Sequence, residues 1–405
     1  MGTDLSPHTL DSSAASNQRL LSLDAFRGAV IAGMILVTDP GTYSAVYKPL
    51  LHAQWDGPTA TDMIFPSFLV IVGMAIPLSF ASHLRRGKTR KELLWHVLKR
   101  SVILFILGLV LNGFPDYNLH TIRIPGVLQR IAICYLAGAA LYLAASSTAD
   151  KNPSQLGRRR SAVIGSTLVS ILALYWALLK LFPVPGFGPG RLDSLGNLGA
   201  YLDRAIFGIQ HLWPYGLTPG YGVTFDPEGL LSTLPALATL LIGVLAGDWL
   251  LTTYSQRRKV TLLAIVGVCL VLVGLALSPW LPLNKKIWTS TFALFSGGVT
   301  LLAFSFFYLI LDIKRWRRWA TPLLIFGTNA ILAFALSNVI TTLTDRIHVT
   351  TRDGATITIH HWLYQEVFAT WLRSVHASFA YAVAIVILNL ILIYPLYRRR
   401  IFLRV

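Results

Sequence analysis

Charge is what this sequence has least of. Only 13% of its 405 residues are Asp, Glu, Lys or Arg, against 54% hydrophobic, which excludes a set of soluble domains with polar surfaces. Acidic side chains are the scarcer sign, 18 against 35 Lys and Arg. Cysteine is nearly absent: Cys134 and Cys269 both fall inside apolar stretches, where a thiol behaves as a small hydrophobe, and they fit no metal-ligand spacing. No Walker A, HExxH or GxSxG motif occurs, so neither ATP hydrolysis nor zinc chemistry is indicated, and no metal is expected. Residues 1–19 are polar and rich in Ser and Ala, without the apolar core and cleavage site of a signal peptide. The first apolar stretch is therefore expected to be an uncleaved anchor behind a mobile cytoplasmic tail, residues 1–18.

What is present is a succession of apolar stretches near 20–38, 61–82, 94–113, 124–145, 161–182, 229–251, 259–278, 288–311, 320–342 and 376–396. Each is long enough to cross a hydrocarbon core of about 30 Å as a helix, which takes roughly 20 residues. None shows the extended apolar/polar alternation of a barrel strand. The fold class is all-α: a polytopic membrane bundle of about ten transmembrane helices over residues 19–405, with no internal repeat. The Gly- and Pro-rich segment 183–228 reads as a compact cap.

Basic residues set the orientation. The amino terminus and every second loop hold 24 Lys and Arg, the opposite loops nine, and Arg130 and Lys180 lie within spans. This asymmetry places both termini in the cytoplasm. The runs Arg158-Arg159-Arg160, Lys314-Arg315-Trp316-Arg317-Arg318 and Arg398-Arg399-Arg400 need no role beyond anchoring, with attraction of anionic lipid or an anionic cosubstrate as the alternative. The same topology puts the loops 39–60, 183–228 and 343–375 outside.

Three constellations carry chemistry. In His52-Ala53-Gln54-Trp55-Asp56-Gly57-Pro58-Thr59-Ala60-Thr61-Asp62 a histidine shares eleven residues with two carboxylates and an indole. It is either an interfacial loop histidine or a general base whose tautomer a carboxylate fixes. Pro66 and Pro77 in the span that follows are expected to make its upper half irregular around a pocket. In Arg123-Ile124-Pro125-Gly126-Val127-Leu128-Gln129-Arg130 two arginines seven apart would share one helical face about 10 Å along the axis. Arg130 lies within the span, as a functional group or as half of a buried ion pair. With Arg100, near the cytoplasmic end of the third span, they suggest a ladder of guanidinium groups for a long polyanion with several phosphates. Phe225-Asp226-Pro227-Glu228-Gly229 opens the sixth span, where Asp226 and Glu228 either cap the helix or bind a polar, amino-bearing substrate. Asp24 and Arg27 are expected to pair, and Asn329 to bond a neighbouring helix or line the cavity.

These motifs, together with Leu23-Asp24-Ala25-Phe26-Arg27-Gly28 and Asp62-Met63-Ile64-Phe65-Pro66, closely resemble the heparan-α-glucosaminide N-acetyltransferase family, in the same order, from about Arg19 to the carboxyl terminus. The family's lysosomal members carry acetyl from cytosolic acetyl-CoA across the membrane to the terminal glucosamine of heparan sulfate, and their active-site histidine lies in the motif matching His52. The resemblance implies a bacterial-type acyltransferase of the inner (cytoplasmic) membrane, corresponding to the catalytic domain without the animal enzymes' lumenal region and extra first span. Acetyl-CoA is then the cosubstrate, its phosphates near Arg100, Arg123, Gln129, Arg130 and Asn329. His52 is the catalytic base or the acetyl carrier, and Trp55, Asp62, Asp226 and Glu228 shape a pocket for an external amino sugar or glycan. Membrane lipids and, from the animal relatives, a homodimer are the further partners implied; nucleic acid is not. Relatives place an asparagine shortly before the histidine where this chain has Thr38-Asp39. The readings from other classes are a transporter or flippase for an anionic or sugar-linked solute, which the lack of inverted repeats disfavours, and a noncatalytic partner in envelope-polysaccharide assembly.

Overall fold

A chain in lipid has to satisfy its own backbone amides, so apolar runs of this length become helices. The computed structural model describes residues 20–146, 153–351 and 354–402; the tail expected to be mobile, residues 1–18, lies outside the described residues. The helices are α1 (Leu21–Thr38), α2 (Ile64–Arg85), α3 (Arg90–Gly113), α4 (Val127–Ala145), α5 (Pro153–Leu181), α6 (Leu198–Phe207), α7 (Thr233–Leu250), α8 (Gln256–Leu277), α9 (Ser290–Tyr308), α10 (Thr321–Thr328), α11 (Ala330–Arg346), α12 (Ile359–Trp362) and α13 (Ser374–Arg398). Among the described residues nine are long and apolar enough to span a membrane, and α10 with α11 forms a further apolar pair bent by 76°. The chain is a polytopic helical membrane protein.

The tenth expected span is broken rather than continuous, and the break falls at Asn329. Two helices start later than the apolar runs that announce them. Ahead of α4, Asn112 Nδ2 donates to the carbonyls of Arg123 (2.9 Å) and Pro125 (3.1 Å), holding that segment out of the helix. Ahead of α7, residues 226–232 form turns. In contrast, α2 runs unbroken through Pro66 and Pro77. Pro66 sits in the first turn, where no donor is needed, and the irregularity expected there is confined to a single 3₁₀ turn, Thr61–Met63.

The centre of the bundle is α7, the most buried span, while α8 is the least buried and carries Cys269 on an exposed face. Packing of α7 on α2 depends on small residues: a Cβ on Gly243 would lie 2.1 Å from the Val70 carbonyl oxygen, so the helices meet backbone to backbone. The first helix meets α10 in the same way, a Cβ on Gly327 falling 1.8 Å from the Asp24 carbonyl oxygen. At that contact Arg27 pairs with Asp24 (3.4 Å), as its spacing predicts, and also donates to the Gly327 carbonyl (3.2 Å).

At one end of the bundle the connections α1–α2, α3–α4, α5–α7 and α8–α9 knit together. Gly57 N donates to the Leu283 carbonyl (2.9 Å), Trp55 Nε1 to Leu192 (3.0 Å) and Ile124 N to His211 (3.0 Å). The α5–α7 connection is built over this end from α6 and a two-stranded hairpin, β1 (Leu217–Thr218) with β2 (Gly222–Val223). A second hairpin, β3 (His348–Thr350) with β4 (Thr356–Thr358), follows α11.

Candidate active site

The turn Thr61–Met63 delivers Asp62 to the membrane end of the His52 loop, and the loop closes around its carboxylate. Oδ2 accepts from Ala53 N (3.1 Å), Thr59 N (2.9 Å) and Thr59 Oγ1 (3.1 Å), leaving Oδ1 for His52 Nδ1 at 2.7 Å. Gly57, at φ +81°, turns the chain between them. A carboxylate at that distance requires the proton on Nδ1, so the lone pair of the neutral ring is on Nε2. The side chain of Asp62 is 1% exposed and that of His52 47% exposed. This is a fixed carboxylate behind an accessible imidazole, the arrangement of a general base or an acyl-accepting nucleophile.

Of the two acids flanking the histidine, Asp62 is its partner; Asp56 accepts from Asn284 Nδ2 at 3.0 Å. Asn284 organises the α8–α9 connection, its Oδ1 accepting from Ile287 N (3.0 Å) and its own N–H donating to Thr289 Oγ1 (3.1 Å). The connection thereby presents two lysines to the site. Lys286 donates to the Gln54 carbonyl and lies 5.8 Å from the Trp55 ring centroid. Lys285 Nζ stands 3.7 Å from Asp62 Oδ1 and 3.3 Å from His52 Nδ1. Burial pushes the Lys285 ammonium below the usual lysine range, against the pull of Glu228 and Asp62. Sequence reasoning missed Asn284, Lys285 and Lys286. The signal available was two adjacent lysines in a short loop on the side otherwise poor in basic residues.

Arg123 and Arg130 both turn toward residues 226–232, but not as one helical face, because Arg123 precedes α4. Its guanidinium grips Asp226 at two points, Nε to Oδ2 (2.8 Å) and Nη2 to Oδ1 (2.6 Å), and also bonds Glu228. Asp226 accepts in addition from Trp213 N (2.8 Å) and Glu228 N (2.9 Å). Asp226 and Glu228 thus neither cap α7 nor stand free: they are the counter-ions of Arg123. Burial opposes the charge on Glu228, but Arg123, Arg130 and Lys285 outweigh it and hold its carboxyl below the usual range.

Arg130 is fully enclosed. One nitrogen reaches the Gly229 carbonyl (3.1 Å) and Ser232 Oγ, the group lies over the Trp288 ring (5.2 Å), and Nε and Nη1 have no partner among the described residues. Neither has Nε2 of neighbouring Gln129. Asp203 of α6 closes the cluster, accepting from Leu230 N (2.8 Å), and burial pushes its carboxyl up to about 7.

The remaining expected residues sit elsewhere. Arg100 is exposed on α3 with its guanidinium over the Tyr135 ring (5.1 Å). Asn329, buried at the α10–α11 break, donates to the Ile401 carbonyl (3.3 Å). Asp39, beside the departure at Thr38, is buried and accepts from Ser337 Oγ (2.8 Å) and Thr341 Oγ1. Between the break and the His52 end lies a small, partly open apolar pocket walled by Ile31, Met34, Phe65, Phe68, Ile131 and Phe334.

Residues 19–149 match the family model described as "Heparan-alpha-glucosaminide N-acetyltransferase, catalytic". The Homo sapiens heparan-alpha-glucosaminide N-acetyltransferase is 32% identical over 375 residues, a match covering 82% of this chain and 54% of that protein. The Mus musculus protein of the same name is 30% identical over 375 residues, covering 82% and 55%. The chain spans about half the length of the curated relatives it matches.

Proposed function

The chain belongs to the heparan-alpha-glucosaminide N-acetyltransferase family, and from that premise we propose that it is a transmembrane N-acetyltransferase, moving acetyl from cytoplasmic acetyl-CoA to the amine of an external amino sugar. The observation that carries this reading is the His52–Asp62 pair: a half-exposed imidazole held from behind through Nδ1 by a buried carboxylate. In the reaction Nε2 takes a proton from the acceptor amine as its nitrogen forms the new C–N bond to the thioester carbonyl. The tetrahedral intermediate then expels the CoA thiolate, which recovers that proton from the imidazolium. Asp62 stabilises the imidazolium between the two steps.

Donor binding is assigned to Arg130 and Gln129, whose unpartnered nitrogens suit carbonyl or phosphate oxygens. Arg100 and Asn329 are assigned to the cytoplasmic end of the donor's path, with the apolar pocket between. Arg123, already neutralised by two carboxylates, holds the acceptor end in shape together with Asp226 and Glu228, while Trp55 forms its wall. The proposed setting is the inner membrane of a bacterium, among lipids and as a homodimer.

The experiment is acetyl transfer to glucosamine by purified protein in detergent. His52→Ala is expected to lose about 10²–10⁴-fold in kcat while remaining folded. Full activity in that variant rejects the reading, and movement of an unchanged solute without acetyl-CoA consumption replaces it with transport. Labelled acetyl-CoA given without acceptor separates the two roles of His52: label retained on the protein assigns acetyl carriage, and no label assigns the base.

A further inference from the structure

Asp62, at 2.7 Å from His52 Nδ1, does two things that work against each other in a base. It fixes the tautomer, and as a bare anion it also favours the imidazolium, which has no lone pair to offer. The site holds a second charge that resolves this. Lys285 Nζ lies 3.3 Å from the same nitrogen and 3.7 Å from the same carboxylate oxygen, with its side chain 15% exposed. Because Nδ1–H already donates to Asp62, the ammonium has no acceptor on the ring. The alternative, Lys285 donating to a bare Nδ1, would set that nitrogen's lone pair against Asp62 Oδ1. The ammonium therefore acts on His52 through its charge and through Asp62.

We propose that Lys285 is a positioning residue for His52, an ammonium wedged behind the His52–Asp62 pair that keeps the imidazole neutral while Asp62 holds the ring proton on Nδ1 and leaves the lone pair on Nε2. Its catalytic consequence rests on the acetyltransferase reading. Lys285 is held in place, since Asn284 and the Gly57–Leu283 bond pin its loop to the His52 loop. The charged groups facing Lys285 are Asp62 from the turn before α2, Glu228 from the cap and Arg130 from α4. Lys286, beside it in the loop, also faces Asp62. Two unit charges about 4 Å apart in a partly screened site shift each other's protonation by about one unit or more, so without the cation the Asp62 anion stabilises a solvent-protonated ring up to a higher pH.

The test uses the full chain in detergent and the rate at which diethyl pyrocarbonate modifies His52, followed by mass spectrometry across pH 4.5–8.5, because only neutral imidazole reacts. Lys285→Met is expected to raise the midpoint by about one unit or more, and Lys285→Arg to restore it. The acid limb of kcat/KM is expected to move with it, giving about a tenfold loss at the acid end and little change at the alkaline end. Lys285→Gln makes the same measurement should the methionine variant not fold. An unchanged midpoint in a folded neutral variant, or no restoration by arginine, overturns the proposal. Absence of acetyl transfer in the unmodified protein counts against the function reading alone, since the midpoint is measured without turnover.

Discussion

Replacing Asp62 by asparagine separates orientation from mere presence of the histidine. The carboxylate accepts from His52 Nδ1, Ala53 N, Thr59 N and Thr59 Oγ1. An amide keeps one acceptor oxygen. With that oxygen retained by the Ala53 and Thr59 amides, its NH₂ faces Nδ1 and drives the ring proton to Nε2, the nitrogen that has to be free. The expected loss is about 10²–10⁴-fold in kcat, the upper value being that of a triad histidine forced into the wrong tautomer. KM for the amine should change little. Stability should fall by about 3 kcal/mol, the low end for breaking a buried ion pair, because Glu228 still faces Lys285. The assay is steady-state acetyl transfer with the variant's unfolding temperature measured alongside. A folded Asp62→Asn protein with unaltered kcat would refute the assignment of Nε2 as the working atom.

Other perturbations test the supporting structure. Arg123→Ala leaves Asp226 and Glu228 buried without their counter-ion and should cost about 3–5 kcal/mol; Arg123→Lys keeps the charge but not the two-point grip, and should recover only part of this in thermal unfolding. For Asp203 the folded carboxyl, near 7, lies above its ordinary value of 3.8. The folded state therefore binds the extra proton, and stability should decline as pH rises from about 4 to about 7 and then level off. Unfolding temperatures should show this slope in the parent protein and a shallower one in Asp203→Asn. Gly243→Val places a branched side chain where even a Cβ would lie 2.1 Å from the Val70 carbonyl, so α2 and α7 must part. The expected result is loss of monodisperse protein on size exclusion, whereas Gly165→Val on α5, where a Cβ meets nothing within 4 Å, should be tolerated.

The helices of the nine spans were legible because an apolar run of membrane length has almost no alternative to helix. The breaks were less so. Asn329 stood out as a polar amide in such a run, but helix contact and cavity lining were equally open readings, and a bend of 76° depends on what packs around it. The late starts of α4 and α7 were hidden for a related reason: Arg123, Asp226 and Glu228 leave helical geometry to meet one another across 103 and 105 residues. That His52 has a carboxylate partner was legible from its neighbours, though the choice of Asp62 over Asp56 follows from the 3₁₀ turn and the Asn284 loop. Lys285 was marked only by its place in a lysine pair on the side poor in basic residues, and nothing in the sequence ties it to a ring 233 residues away.

In the proposed function acetyl crosses the membrane from one side of this protein to an amine on the other by way of His52. This crossing is tested most directly in proteoliposomes with glucosamine sealed inside and acetyl-CoA, which does not cross lipid, added outside. The expected result is lumenal N-acetylglucosamine that accumulates with time and falls about 10²-fold or more with His52→Ala, the low end for losing a general base. Acetylation confined to acceptor placed on the same side as acetyl-CoA, or lumenal product undiminished in the His52 variant, would contradict it.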